Sequence, residues 1–121
     1  MFELSQSFHF DAAHTLERLH ETVSSRRLHG HSYHAEVTLA GEPDPGSGMV
    51  ADLALLRGVI AELRGQLDHH LLDEVPGLAP ATLENLCRYM HAFVAARLPG
   101  VVQVSVARPS SGDRCVYRPG R

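Results

Sequence analysis

Leu28-His29-Gly30-His31-Ser32-Tyr33-His34 is the stretch around which the rest of this sequence is organised. It follows a polar loop and opens Ala35-Glu36-Val37-Thr38-Leu39, which alternates as a β-strand does. Side chains two apart in a strand share a face, so His29 and His31 point the same way, roughly 6.5–7 Å apart along the backbone. Tyr33, Ala35, Val37 and Leu39 lie on that face too, which is therefore the apolar side, expected to be buried. Two neutral imidazoles at the dry end of a strand suit Zn²⁺, which takes a third protein ligand and keeps an open position when it is catalytic. Gly30 stands between them, where the lack of a side chain lets backbone or ligand approach closely.

Upstream, residues 2–12 alternate strictly, with Phe2, Leu4, Phe8 and Phe10 on one face and Glu3, Ser5, Ser7, His9 and Asp11 on the other. This predicts a half-buried strand, and its end, Phe10-Asp11-Ala12-Ala13-His14, has small residues that let His14 tuck into a crowded place. Residues 15–27 form a polar excursion. Downstream, the histidine strand ends at Ala40-Gly41, and 42–48, with two prolines and two glycines, is a loop. Asp52 is placed to cap a helix whose apolar stripe is Leu53, Leu56, Ile60, Leu63 and Leu67. That helix runs into Asp68-His69-His70-Leu71-Leu72-Asp73 and breaks at Pro76-Gly77. Thr82 caps a second helix, with Leu83, Leu86, Cys87, Met90, Phe93, Val94 and Leu98 as its stripe, stopped by Pro99-Gly100. Val102, Val104 and Val106 alternate as a third strand, Arg114–Arg118 reads as a fourth, and the tail 119–121 is expected to fray. The order is two strands, two helices, two strands, in a single α+β domain over 1–121.

Composition narrows the function. Hydrophobic residues are 44% of the chain, enough for a core. A formal charge of −3 and a pI near 6.3 leave no electrostatic footprint for nucleic acid. Nine histidines are many for 121 residues, and six of them fall between positions 9 and 34. Cys87 and Cys115 have no disulfide or zinc-knuckle spacing. With no basic-then-apolar leader and no membrane-length apolar run, the reading is no membrane association and a cytoplasmic location.

His14, His29 and His31 form the candidate zinc triad. Histidines at strand ends also occur as satisfied structural residues, but a third one closing the neighbouring strand favours a shared ion. Three imidazoles with an open position make a Lewis acid for a carbonyl or hydroxyl. His9, His20 and His34 are left to the surface or to supporting roles. Asp68-His69 is the second constellation: a carboxylate accepting an imidazole N–H fixes the tautomer and raises the basicity of a proton shuttle. The plain alternative is a histidine at a helix C-terminus, placed there for its charge.

Phe10-Asp11-Ala12-Ala13-His14, Leu28-His29-Gly30-His31-Ser32-Tyr33, Leu67-Asp68-His69-His70-Leu71-Leu72-Asp73 and Ala81-Thr82-Leu83-Glu84-Asn85-Leu86, in that order and spacing, resemble the 6-pyruvoyltetrahydropterin synthase and 6-carboxytetrahydropterin synthase family. The resemblance covers nearly the whole chain. It implies the tunnelling fold, strand-strand-helix-helix-strand-strand. It also implies a homotrimer or homohexamer whose active sites lie where subunits meet, zinc on His14, His29 and His31, and proton transfer by Asp68 and His69. The substrate it implies is a small molecule, dihydroneopterin triphosphate.

Two positions depart from the family pattern. Where members carry a cysteine or glutamate four residues before the first histidine of the HxH pair, this chain has Ser25. An unassisted hydroxyl is not an appreciable base at neutral pH, whereas a thiol can be tuned to thiolate. Where the family has a glutamate that anchors the pterin edge, Ala107 or Arg108 stands here, and Asp113 is too far along the chain to replace it. The expectation is a zinc-dependent lyase or cyclase with altered substrate specificity, with Ser25 in the catalytic place and Ala107 and Arg108 against the substrate. The alternatives are an ordinary 6-carboxytetrahydropterin synthase and a non-catalytic, zinc-stabilised oligomer that binds a small molecule.

Overall fold

The computed structural model describes residues 1–120; Arg121, the last residue of the expected frayed tail, lies outside them. The elements are β1 (Phe2–His14), α1 (Thr22–Arg26), β2 (His29–Gly41), α2 (Leu53–Leu67), a 3₁₀ turn (Leu72–Glu74), α3 (Leu83–Ala95), β3 (Val101–Arg108) and β4 (Asp113–Tyr117). The four strands form one antiparallel sheet in the order β1-β2-β3-β4, the α+β tunnelling architecture expected from the motif order.

The sheet is two-faced because its strands alternate. Phe8, Phe10 and Ala12 of β1, Tyr33, Ala35, Val37 and Leu39 of β2, and Val104 and Val106 of β3 are all buried. Against them lie α2, through Leu56, Ile60, Leu63 and Leu67, and α3, through Leu86, Cys87, Met90 and Val94. Both caps form as the sequence predicts: the Asp52 carboxylate accepts from the Ala54 N–H at 2.8 Å and Thr82 Oγ1 from the Asn85 N–H at 3.1 Å. No helix among the described residues is long and apolar enough to cross a membrane.

Several boundaries differ from the sequence reading. The polar excursion contains the short helix α1, which its lack of an apolar stripe conceals, and the chain after His70 makes a 3₁₀ turn. Helix α3 stops at Ala95, so Leu98 packs on the core from outside it. Asp113 opens β4, opposite Arg108, and Arg118 lies beyond it. Gly30 is not needed for space, since a Cβ there would meet only the Ala12 carbonyl oxygen at 3.6 Å, an ordinary contact. Gly100 is required: its φ is +88° and a Cβ would come within 3.0 Å of the Ala40 carbonyl oxygen.

Candidate metal centre and adjoining clefts

Strand register assembles the three imidazoles. His14 pairs with His29 and Ala12 with His31 across β1 and β2, so all three rings lie on the helix-covered face at one end of the sheet. Their candidate ligand atoms lie within 4.8 Å of one another, and the ring centroids are 4.5 to 4.9 Å apart, every pair edge-on. His14 is buried, and its Nδ1 donates to the Ala81 carbonyl at 2.9 Å; His29 Nδ1 donates to the Arg27 carbonyl at 2.7 Å. Each carbonyl fixes a tautomer and leaves Nε2 with its lone pair, the arrangement typical of metal-binding histidines.

The donor set fits a divalent ion of the zinc type. His31 Nε2 and His14 Nε2 face each other at 3.0 Å; two lone pairs so close need either a shared proton or a shared cation. Burial, with the neighbouring imidazoles and Arg108 acting in the same direction, lowers His31 to about 4. Burial also lowers His14, against the opposing effect of its bond to Ala81. Both rings are therefore neutral and ready to ligate at pH 7. His34 is on the other face, its ring 4.6 Å from that of His9.

Asp68 and His69 are positioned by a chain reversal at the end of α2. Asp68 caps that helix, and His69 adopts the left-handed conformation at φ 58°, which costs a non-glycine residue roughly 1–2 kcal/mol. Backbone bonds lock this turn onto β1: the His69 N–H donates to the Asp11 carbonyl at 2.7 Å, and the Ala13 N–H to the His70 carbonyl at 3.1 Å. The Asp68 carboxylate accepts from the Asp11 N–H at 3.0 Å, from His69 Nδ1 at 2.9 Å and from Arg64 Nη2 at 3.1 Å. The Asp11 N–H, then His69 and Arg64, hold its pKa below the ordinary carboxylate range. An ionised carboxylate on Nδ1 leaves His69 Nε2 facing outward, on a side chain that is 79% exposed.

Two clefts meet at His31. One, of about 630 Å³, is lined by Asp11, Gly30, His31, Ser32, His69 and Ser110 among others; His69 reaches it, and of the three imidazole residues His31 alone does. The other, of about 360 Å³, holds Ser25, His29, His31, Arg108 and Asp113. Ser25 is buried within α1, its N–H donating to the Glu21 carbonyl and its own carbonyl accepting from Leu16. The two substrate-contact candidates separate by strand parity. Arg108 points into the smaller cleft, while Ala107 pairs with His34 on the opposite face and lines neither cleft. Asp113, too far along the chain by residue count, is brought beside Arg108 by the β3–β4 hairpin, with Oδ2 3.2 Å from Arg108 Nη2. Sequence reasoning missed it; only the hairpin register could have revealed it.

Known proteins resemble this chain along nearly its whole length. Residues 3–120 match the family model described as 6-pyruvoyl tetrahydropterin synthase. The chain is 35% identical over 125 residues to a 6-carboxy-5,6,7,8-tetrahydropterin synthase of Synechocystis sp., covering 98% of this chain and 95% of that one. It is 32% identical over 130 residues to the Bacillus subtilis protein of the same name, covering 98% and 86%. Among solved structures, the Caenorhabditis elegans 6-pyruvoyl tetrahydropterin synthase superposes with a TM-score of 0.85 at 26% identity, over 98% of this chain and 96% of the other.

Proposed function

The chain belongs to the 6-pyruvoyl tetrahydropterin synthase family, and on that premise we propose that it is a zinc-dependent lyase or cyclase with a substrate pocket altered from the family's. The observation that carries this reading is the convergence of His14, His29 and His31, the last of which also borders the cleft that His69 lines. Bound zinc supplies Lewis-acid polarisation of a substrate hydroxyl or carbonyl. The chain's own part is proton movement. Asp68, ionised and held by the Asp11 N–H, orients His69 through Nδ1, so Nε2 takes a proton from substrate and returns it at the next atom. Ser25 stands where a stronger acid–base residue is expected, and it binds rather than transfers. Arg108 reads the substrate from the smaller cleft.

The assembly we propose is a homotrimer or homohexamer. Strand β1 is an edge of the sheet; the turn after α2 covers its far end and Arg64 bonds the His9 carbonyl, so Phe2 to Phe8 have no strand on their outer side. A second copy's sheet edge is the natural partner for them.

The test is incubation of zinc-loaded protein with dihydroneopterin triphosphate, following triphosphate release and side-chain cleavage. Weak or absent turnover, alongside His69-dependent turnover of another polar metabolite, fits the altered pocket. Rapid turnover favours the second reading, an ordinary 6-carboxytetrahydropterin synthase, which the names of the 32–35% identical relatives support. Zinc binding without turnover of any pterin or related metabolite, in wild type and variants alike, leaves the non-catalytic binding oligomer.

A further inference from the structure

One row inward from the imidazoles, the register sets Phe10, Tyr33, Arg108 and Asp113 side by side on the helix-covered face. Phe10 pairs with Tyr33 and Arg108 with Asp113; Tyr33 stands one step beyond the His34–Ala107 pair, which brings it against Arg108. The Tyr33 ring is wedged, stacked on Phe10 at 4.8 Å between centroids and edge-on to His31 at 5.6 Å. Two polar atoms of this row, Tyr33 Oη and Arg108 Nε, are fully covered and have no hydrogen-bond partner. Arg108 is held through Nη2 by Asp113, whose Oδ2 also accepts from Ser111 Oγ at 3.0 Å.

Buried polar side chains are ordinarily paired, tyrosine hydroxyls included. Two orphans in one row of the sheet, bordering the imidazole cluster, are what a site looks like when its bound partner completes it. We propose that Tyr33 and Arg108 jointly receive an anionic oxygen of the substrate, from a carboxylate or a phosphate, with Asp113 as the positioning residue that holds the guanidinium. The inference rests on the smaller cleft being the substrate pocket. A guanidinium presents a planar fork of donors that matches such oxygens. The hydroxyl, protonated at neutral pH, adds a neutral donor behind it. Arg108 lines the smaller cleft and Tyr33 lies covered beyond it, so an arriving oxygen meets the guanidinium first and reaches the hydroxyl as the Arg108 side chain shifts aside. A competitor lacking that oxygen leaves both donors unpaired, the circumstance under which a site discriminates most strongly.

The test is a titration of the full chain, metal-free, with inorganic phosphate and separately with acetate, following ring-¹³C-labelled tyrosine by NMR. The Tyr33 signal, assigned by its absence in Tyr33→Phe, should shift saturably while those of Tyr89 and Tyr117 stay in place. Arg108→Gln should weaken binding about ten- to a hundredfold and Tyr33→Phe about three- to tenfold. Arg57→Gln, the same charge change on α2, should leave it unchanged. Response to phosphate alone assigns the row to a phosphoryl group, and response to acetate alone to a carboxylate. Silence from both, equal shifts at all three tyrosines, or unchanged affinity in Arg108→Gln would overturn the proposal. If Tyr33→Phe does not fold, the wild-type signal, assigned through Tyr89→Phe and Tyr117→Phe, still decides. Because no metal is present, the outcome is independent of the histidine variants' metal content, and the two readings fail separately.

Discussion

The imidazole cluster and the Asp68–His69 pair both sit at the His14 end of β1, yet they are built on different physical footings. The cluster is a product of register: thirteen consecutive pairs join β1 to β2, and two of those pairs contribute all three rings. No unusual backbone is needed, and His14 is buried among neighbours that leave it little freedom. The pair depends on one reversal of the chain, on a left-handed histidine, with its ring in water. On the proposed roles, the group that binds is held by the sheet, and the group that moves protons is held by a turn and left exposed. The contrast implies that damage to the cluster costs binding, whereas damage to the pair costs turnover alone.

The largest effects should follow loss of a ring. His14→Ala, His29→Ala and His31→Ala are each expected to lower zinc occupancy by more than an order of magnitude, measured by elemental analysis after dialysis, because two imidazoles make a poor zinc site. His34→Ala, on the other face, should leave occupancy intact. If His34→Ala behaves like the other three, the register argument fails. Next comes His69→Ala, expected to lower turnover about 10²–10⁴-fold at unchanged zinc content; a parallel loss of zinc would erase the distinction between the two regions.

A third measurement sets stability against function. His69→Gly removes the proton shuttle but relaxes the left-handed turn, so its unfolding free energy should rise by up to about 1 kcal/mol while activity disappears. A destabilised His69→Gly would show that the Asp68 contact matters more than the backbone. The smallest effect is a slope. His31 protonates near 4 when folded, against 6.5 for the free side chain. Between those values the unfolded chain binds the extra proton, so metal-free protein should lose stability as pH falls from about 6.5 to about 4. His31→Gln should flatten that slope in thermal melts; an unchanged slope would place the titrating group elsewhere.

The sequence made the sheet and the ring cluster readable because both follow from alternation, and alternation survives in the letters. His29, His31 and Tyr33 announce their shared face, and strict alternation brings His14 to the matching end of the neighbouring strand. Helix α1 was invisible because its five residues, Thr22 to Arg26, carry no periodic apolar stripe. Asp113 was hidden for another reason: its nearness to Arg108 belongs to the hairpin register, and residue counting measures chain separation rather than space. Ala107 and Arg108 stood level as candidates; parity puts Arg108 in the smaller cleft and excludes Ala107, a distinction available only once the pairing of β3 with β2 is known. The left-handed turn at His69 is likewise unannounced, since histidine is not the residue that such a conformation favours.

The bonds that tie His69 to Asp11 and His70 to Ala13 place both functional groups on the last few residues of β1, which end at His14. That shared anchorage sorts the chain by its tolerance to changes in length. One residue inserted between Phe8 and His14 would reverse the parity of everything beyond it, turning His14 away from His29 and unseating the turn under His69 together. The loop 42–48 carries no such obligation and can lengthen or shorten without disturbing either group. A short run of β1 therefore acts as the ruler against which both halves of the chemistry are set, and the loops around it are where relatives of different length are free to differ.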